Sequence, residues 1–104
     1  MYDLYKLLHS YNGQIPKMQR YTLWQRCGDI SLSMLEQLIR TGFLQGVERV
    51  RMLHEISHNG DLLKVLIRLA KEIRAITPQQ YLVIQTHLQE IGKMVGGWIK
   101  SIAH

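Results

Sequence analysis

The segment that decides the fold is residues 77–102, which reads TPQQYLVIQTHLQEIGKMVGGWIKSI. Its first residues match a helix capping box, with Thr77 as the N-cap, Pro78 at the first helical position and Gln80 reaching back. Beyond the box, apolar residues recur at alternating steps of three and four, the spacing of one helix face. These residues are Tyr81, Ile84, Leu88, Ile91, Val95, Trp98 and Ile102. The segment therefore predicts a helix over about 78–102 with one continuous apolar face.

Two glycines, Gly92 and Gly96, lie four residues apart beside this apolar face. Each costs about 1 kcal/mol relative to alanine in a helix interior, so we expect them to permit the close approach of a neighbouring helix. Together with Gly97 and Trp98 they are our predicted helix-packing or oligomer contacts on this segment. A cofactor-binding glycine loop is the competing interpretation, but no predicted strand precedes it.

The preceding segment carries a second helical stripe, which we assign to the core. It consists of Leu62, Leu66, Leu69, Ile73 and Ile76. Leu63, Ile67 and Ala70 flank that stripe and make the apolar face wider than a single core needs, so Leu63 and Ile67 are predicted helix-packing or oligomer contacts. Upstream, Val47, Val50, Leu53 and Ile56 also recur at helical spacing. Asn59-Gly60 between the two stretches is typical of a turn, which leaves open one long interrupted helix or two short ones.

Two further amphipathic segments complete the pattern. Residues 16–43 predict a helix that begins at Pro16, ends at the glycines of 42–46 and buries Leu23, Cys27, Ile30, Met34 and Leu38. Residues 2–11 predict a short helix that ends at Asn12-Gly13. Four amphipathic helices with short connections in 104 residues predict an all-α, antiparallel four-helix bundle that forms a single domain over 1–104.

Composition narrows the class of protein further. Hydrophobic residues make up 46% and charged residues 20% of the chain, which excludes a disordered or collagen-like sequence. The single cysteine, Cys27, excludes an intramolecular disulfide, and its place on an apolar face predicts a small buried hydrophobe. No run of about 18 apolar residues occurs, and the N-terminal segment is charged where a signal peptide is apolar. We therefore expect a soluble, cytoplasmic protein.

One motif points towards enzyme chemistry. His54-Glu55-Ile56-Ser57-His58 matches the H-E-x-x-H pattern of zinc metalloproteases, in which two histidines on one helix face bind zinc and the glutamate is the general base. The longer form of the motif is absent, because no histidine follows at the required spacing. No P-loop, paired carboxylates or Ser/His/Asp arrangement occurs either. We predict a protein that is not an enzyme and that uses no metal or cofactor.

The basic residues are the remaining functional signal. Thirteen Lys and Arg against eight Asp and Glu give a net charge of +5, which favours anionic partners. Rows of such residues neutralise phosphates without reading base sequence. The predicted nucleic-acid-binding or protein-binding residues are Lys17, Arg20, Arg26, Lys64, Arg68, Lys71, Arg74, Lys93 and Lys100. The competing interpretation is that these are solvated faces that keep a small protein soluble.

Three stretches of the chain resemble one known family. They are Pro16-Lys17-x-x-Arg20-Tyr21-x-Leu23, Leu66-Ile67-Arg68-Leu69-Ala70-Lys71, and Tyr81 followed by Glu90-Ile91-Gly92-Lys93-Met94-Val95-Gly96-Gly97-Trp98-Ile99. These stretches are similar to the Avd family, the accessory variability determinant proteins of diversity-generating retroelements. Relatives of that family are the four-helix proteins encoded in ribosomal-RNA intervening sequences. The resemblance covers nearly the whole chain, and the glycine-tryptophan stretch is its most specific part.

The resemblance implies a non-catalytic partner of the retroelement reverse transcriptase. Family members form a four-helix protomer that assembles into a barrel-like homopentamer and binds the reverse transcriptase and nucleic acid, including template-repeat RNA. With them, the transcriptase makes mutagenised cDNA. The resemblance also implies that the helix continues through Asn59-Gly60. The alternative function is a structural oligomerisation module of the intervening-sequence type whose basic charge is incidental.

Overall fold

The computed structural model describes residues 1–103 and contains no strand within them. Helix α1 spans Tyr2–Tyr11, and a 3-10 turn, Asn12–Gln14, follows it. Next come α2, Lys17–Gln19, a π-helical turn, Arg20–Trp24, and α3, Gln25–Thr41, which continue into one another and form one rod. Helix α4 spans Gly46–Glu72 and α5 spans Pro78–Ala103. The prediction of an all-α protein with four helical rods is confirmed.

The rods pack around a single core in a particle of 45 × 20 × 18 Å. Helix α4 contacts α3 on one side and α5 on the other, and α1 contacts both α3 and α5. The short connections after α3 and α4 make sequential rods antiparallel. Within the described residues, no helix has both the length and the apolar content that crossing a bilayer requires.

The N-terminus of α5 has the predicted capping box. The Gln80 amide donates to the Thr77 hydroxyl at 3.1 Å, and the Thr77 amide donates to Gln80 Oε1 at 2.9 Å. The Gln80 side-chain amide also donates to Gln14 Oε1 at 2.7 Å. This bond ties the start of α5 to the connection between α1 and α2.

Helix α4 runs through Asn59-Gly60 without a break, as the family resemblance implies. The Asn59 side chain donates to Gln37 Oε1 of α3 at 3.0 Å. A Cβ built on Gly60 would lie 3.4 Å from Met34 Cε, at ordinary contact distance, so Met34 of α3 packs directly over this position. Contacts with α3 thus outweigh the local preference of this dipeptide for a turn.

The assignment of the two apolar rows on α4 was wrong for most of their residues, although Ile76 of the predicted core row is buried and Leu66 packs against the core. Leu63, Ile67 and Ala70 are fully buried in the protomer core, whereas Leu62, Leu69 and Ile73 are 40%, 43% and 45% exposed. Helix α4 continues through Gly60 without a break. The row of buried residues that begins before Gly60 must therefore continue after it at helical steps. That row is Leu53, Ile56, Gly60, Leu63, Ile67 and Ala70. The predicted core row, which begins at Leu62, would be in line with Leu53 and Ile56 only if the helix broke at Asn59-Gly60.

The predicted apolar face of α5 is confirmed in its central part. Ile84, Leu88, Ile91 and Val95 are buried. Trp98 departs from the prediction, since 40% of its side chain is exposed. In the second rod, Cys27, Ile30 and Met34 are buried, as predicted. The π-helical turn within that rod, Arg20–Trp24, was not predicted.

Candidate nucleic-acid interface

Most of the basic side chains are free to meet an external anion. Among residues 1–103, the ion pair between Arg40 and Glu36, at 2.7 Å, is the one contact between a basic side chain and a carboxylate. Both side chains are exposed, and exposed pairs of this kind contribute little to stability. The positive charge of the chain is therefore largely unneutralised at its surface.

Three of the predicted residues form a row along α4, which we name the α4 basic row: Lys64, Arg68 and Lys71. Steps of four and three residues place them on one side of the helix. That side faces α5, because Lys64 Nζ lies 3.8 Å from the position of a Cβ on Gly92 and Lys71 Nζ lies 4.3 Å from the centre of the Tyr81 ring. The structure thus brings all three together along the boundary between α4 and α5.

Packing against α5 restrains two members of this row. Lys64 and Lys71 are half-buried with their ammonium groups against α5, whereas Arg68 is exposed. Ordering such long side chains before binding reduces the entropy that a phosphate contact must overcome. The row therefore presents cations at preset positions about one helical turn apart.

Lys93 and Lys100 extend the basic surface on α5. They are exposed and seven residues apart, so they share one face of the helix. Lys93 directly follows Gly92, the residue that Lys64 approaches. One residue along a helix is a rotation of about 100°, so Lys93 and Lys100 lie on the outer face of α5, opposite its buried residues, and not at the boundary with α4.

Two more predicted residues lie towards the end of the bundle where α4 joins α5. Arg74 is exposed and has φ +62°, a left-handed conformation. Together with Lys71 and Pro16 it lines an open hollow at the start of α5. Lys17 directly follows Pro16 and is exposed. These residues continue the basic surface around that end.

Arg20 and Arg26 do not join this surface. Arg20 is half-buried, and its Nη2 donates to the carbonyls of Ile15 at 3.1 Å and Gly13 at 3.5 Å. Its guanidinium thus fastens the connection between α1 and α2. Arg26 shares a side of α3 with Gln37, the residue that bonds to α4, so it lies towards the opposite side of α4 from Lys64.

The predicted packing glycines make no close helix contact inside the protomer. A Cβ on Gly96 or Gly97 would meet no heavy atom within 4 Å, and one on Gly92 would meet only the tip of Lys64. Close approach of a second helix within the chain is therefore not their role. Their predicted role between protomers stays a prediction.

An apolar row follows α4 to its C-cap, and we name it the α4 apolar row: Leu62, Leu66, Leu69 and Ile73. Leu62, Leu69 and Ile73 are exposed, and Leu66 is half-buried against the core. It continues the line of Glu55 and Asn59, whose side chains bond to Gln37 of α3. The row therefore lies on the α3 side of α4, away from the α4 basic row. A contiguous apolar surface of this kind is typical of a protein–protein contact.

The histidine motif of residues 54–58 and Cys27 are the other candidates for metal binding or catalysis. His54 and His58 are exposed on α4, and Glu55 accepts a hydrogen bond from Gln37 at 3.4 Å. In the described part of the chain, no three His, Cys, Asp or Glu side chains are grouped to hold a metal ion. Cys27 is buried, and burial raises the pKa of its thiol to about 12. A thiol with that pKa is protonated at neutral pH and is a poor nucleophile.

These features define a class: an all-helical protein with a basic surface along two of its helices and an exposed apolar row on another side. The family model described as bAvd-like matches residues 1–102, and the chain belongs to this family. The match confirms the resemblance to Avd proteins, which are of an accessory, non-catalytic type. Searches of curated proteins and of solved structures found no match.

Proposed function

We propose that this protein is the accessory subunit of a diversity-generating retroelement, which binds the reverse transcriptase and template-repeat RNA and is needed for mutagenic cDNA synthesis. The observation that carries the proposal is the bAvd-like family match over residues 1–102. The α4 basic row supports it, since an ordered line of cations suits the phosphates of an RNA strand. Lys17, Arg74, Lys93 and Lys100 extend the same proposed surface.

The proposal includes assembly into a homopentamer in the cytoplasm. Exposure of the α4 apolar row supports self-association, because 40% to 45% of Leu62, Leu69 and Ile73 stays in contact with solvent in the protomer. A ring of identical subunits uses two different faces of each subunit at every contact. In such a ring the α4 basic row recurs on every protomer, so several weak RNA contacts act together.

The test is reconstitution with the reverse transcriptase and template-repeat RNA of the same retroelement. We expect the three components to co-purify, and cDNA carrying mutations at adenines to appear only when this protein is present. Light scattering on the purified protein is expected to give about five times the mass of one chain. Normal mutagenic cDNA synthesis without the protein would refute the proposed function.

A structural oligomerisation module is the second candidate, and the exposed α4 apolar row favours it as much as the first. The two candidates differ in what the basic surface does. A purely structural module retains its assembly but binds neither RNA nor the transcriptase, so the same reconstitution separates them.

A further inference from the structure

A cavity of about 250 Å³ opens between α1 and the second rod, away from the α4 basic row. Helix α1 contributes Tyr5 and His9 to its lining, and the π-helical turn contributes Arg20, Tyr21 and Trp24. Single π turns within α-helices frequently occur at functional sites. Here the π turn supplies two of the aromatic side chains that line the cavity.

The aromatic side chains give the cavity a fixed floor and an accessible rim. Trp24 is 4% exposed, and its indole Nε1 donates to the Leu8 carbonyl at 3.1 Å, so this ring is held in place. Tyr21 is 63% exposed and His9 is also exposed. The Tyr5 and His9 ring centres are 6.2 Å apart. A flat ligand that enters the cavity therefore meets aromatic groups from both rods.

A glycine in the wall enlarges this space. A Cβ on Gly28 would meet only Tyr5 Cε2 at 3.9 Å, which is an ordinary contact. Alanine is the stronger helix former, so neither helix propensity nor packing within the protomer favours glycine at this position. Without a side chain at Gly28, this part of the wall is open to a ligand.

The polar groups around the cavity indicate the chemistry of that ligand. Asn12, Gln25 and Asp29 also line the cavity, and together they offer both donors and acceptors. Arg20 and Asp29 bring opposite charges to the lining, and Arg20 is already bonded to the Ile15 and Gly13 carbonyls. The Asp29 carboxylate can accept hydrogen bonds from ring N–H and amino groups. An apolar side chain of a protein partner would make no hydrogen bonds with these polar groups. A planar, edge-polar heterocycle satisfies both the aromatic walls and the polar groups.

We infer that this cavity binds one unstacked nucleobase of single-stranded RNA, with aromatic stacking from Tyr21 and hydrogen bonds from its edge to Asp29. This inference rests on the proposed function, because RNA binding brings the base to the protein. Single-stranded RNA is commonly recognised in this way, by bases that leave the stack and lie against aromatic side chains. Asp29 favours guanine, which presents a ring N–H and an amino group side by side.

The experiment compares a short single-stranded RNA with a ribose-phosphate chain of equal length that lacks bases. We expect Tyr21→Ala and Gly28→Leu, which remove a wall and fill the cavity, to weaken RNA binding roughly 5- to 100-fold. Binding of the chain without bases stays unchanged. The matched control is Tyr2→Ala, because Tyr2 is 66% exposed, like Tyr21, but does not line the cavity. Thermal unfolding of each variant verifies that it is folded.

A second measurement separates this inference from the proposed function. In a Trp98→Phe background, fluorescence from Trp24 is titrated with guanosine, and we expect quenching that Gly28→Leu removes. If guanosine quenches the fluorescence but the protein binds no RNA, the cavity does bind a nucleobase and the proposed function is refuted. RNA binding that Tyr21→Ala and Gly28→Leu leave unchanged would overturn the inference alone. Variants that lose affinity equally for the RNA and for the chain without bases would also overturn it. Variants that lose only their binding to the reverse transcriptase would do the same.

Discussion

The ammonium group of Lys71 lies 4.3 Å from the centre of the Tyr81 ring. This cation–π contact joins the end of α4 to the first turns of α5 and contributes about 0.5–1 kcal/mol at a partly exposed site. It also fixes the position of one charge in the α4 basic row, while Lys64 is positioned near Gly92 at the other end of the row. The same packing that joins the two helices thus arranges the cations of the proposed RNA surface.

Charge reversal of the α4 basic row tests that surface. We expect Lys64→Glu, Arg68→Glu and Lys71→Glu together to abolish RNA binding at moderate salt while the helical fold remains. Loss of three phosphate contacts is expected to reduce the slope of log affinity against log salt by about two units, at about 0.7 per contact for a single strand. Affinity measured over a salt series checks this.

The matched control for the reversal is Arg40→Glu, Arg49→Glu and Arg51→Glu, which makes the same change in net charge at exposed positions outside the row. If affinity depends on total charge alone, both triple variants lose RNA equally. An unchanged salt slope in the first variant would show that the α4 basic row makes no phosphate contacts.

The α4 apolar row predicts a separation between assembly and protomer stability. We expect Leu62→Ser with Leu69→Ser to dissociate the oligomer while the protomer melts within a few degrees of wild type, since both side chains are over a third exposed. Ile67→Ala is expected to cost about 2–5 kcal/mol of unfolding free energy, because Ile67 is fully buried. Light scattering and thermal melting check both. Leu82→Ser, at an exposed position on α5, is the control and retains assembly.

Some elements of this structure could be predicted from residues that are close together in sequence. The capping box at Thr77 and Gln80 needs only residues four positions apart or fewer, and it forms as predicted. Spacing could not show which of the two apolar rows of α4 is buried, because the rows are one residue apart and have the same helical period. Which row is buried depends on whether the helix continues through Gly60. It does continue, and Asn59 bonds there to Gln37 of α3, a contact between residues distant in sequence.

The candidate sites show the same limit. Spacing alone put Lys64, Arg68 and Lys71 on one side of α4, but it could not show that Arg20 bonds to the Ile15 carbonyl instead of facing solvent. The cavity was not predicted at all. It depends on a π-helical turn and on contacts such as Trp24 with Leu8, sixteen residues apart in sequence, which no local pattern encodes.

Alanine substitution of Gly96 on α5 and of Gly46 at the start of α4 is expected to change protomer stability in opposite directions. A Cβ on Gly96 meets nothing within 4 Å, so Gly96→Ala is expected to stabilise the protomer by about 1 kcal/mol through helix propensity. Gly46→Ala is expected to destabilise it by about 1–2 kcal/mol, because Gly46 has φ +61°. Melting temperatures check the pair. If Gly96→Ala also reduces the oligomer mass, the glycine is a contact between protomers.

The buried thiol of Cys27 predicts a loss of stability at high pH. Burial raises its pKa to about 12 from an ordinary value of 9.0, so the unfolded chain loses this proton at a lower pH than the folded chain does. The stabilisation is complete below pH 9 and falls by up to about 1.4 kcal/mol per pH unit as pH rises towards 12. Unfolding free energies of wild type and Cys27→Ala measured between pH 8 and about pH 11 check this. A difference between the two proteins that does not vary with pH would contradict it.

Arg74 connects stability with the proposed function. Its φ of +62° costs a side-chain-bearing residue about 1–2 kcal/mol relative to glycine. The turn fixes this conformation, because the amides of Ala75 and Ile76 return to the Ala70 carbonyl at 2.8 Å and 3.4 Å. We therefore expect Arg74→Gly to raise the unfolding free energy by about 1 kcal/mol and to weaken RNA binding. Arg74→Lys, which retains both charge and strain, is expected to change neither. A glycine variant that is more stable and binds RNA as wild type does would show that Arg74 has no part in the proposed RNA surface.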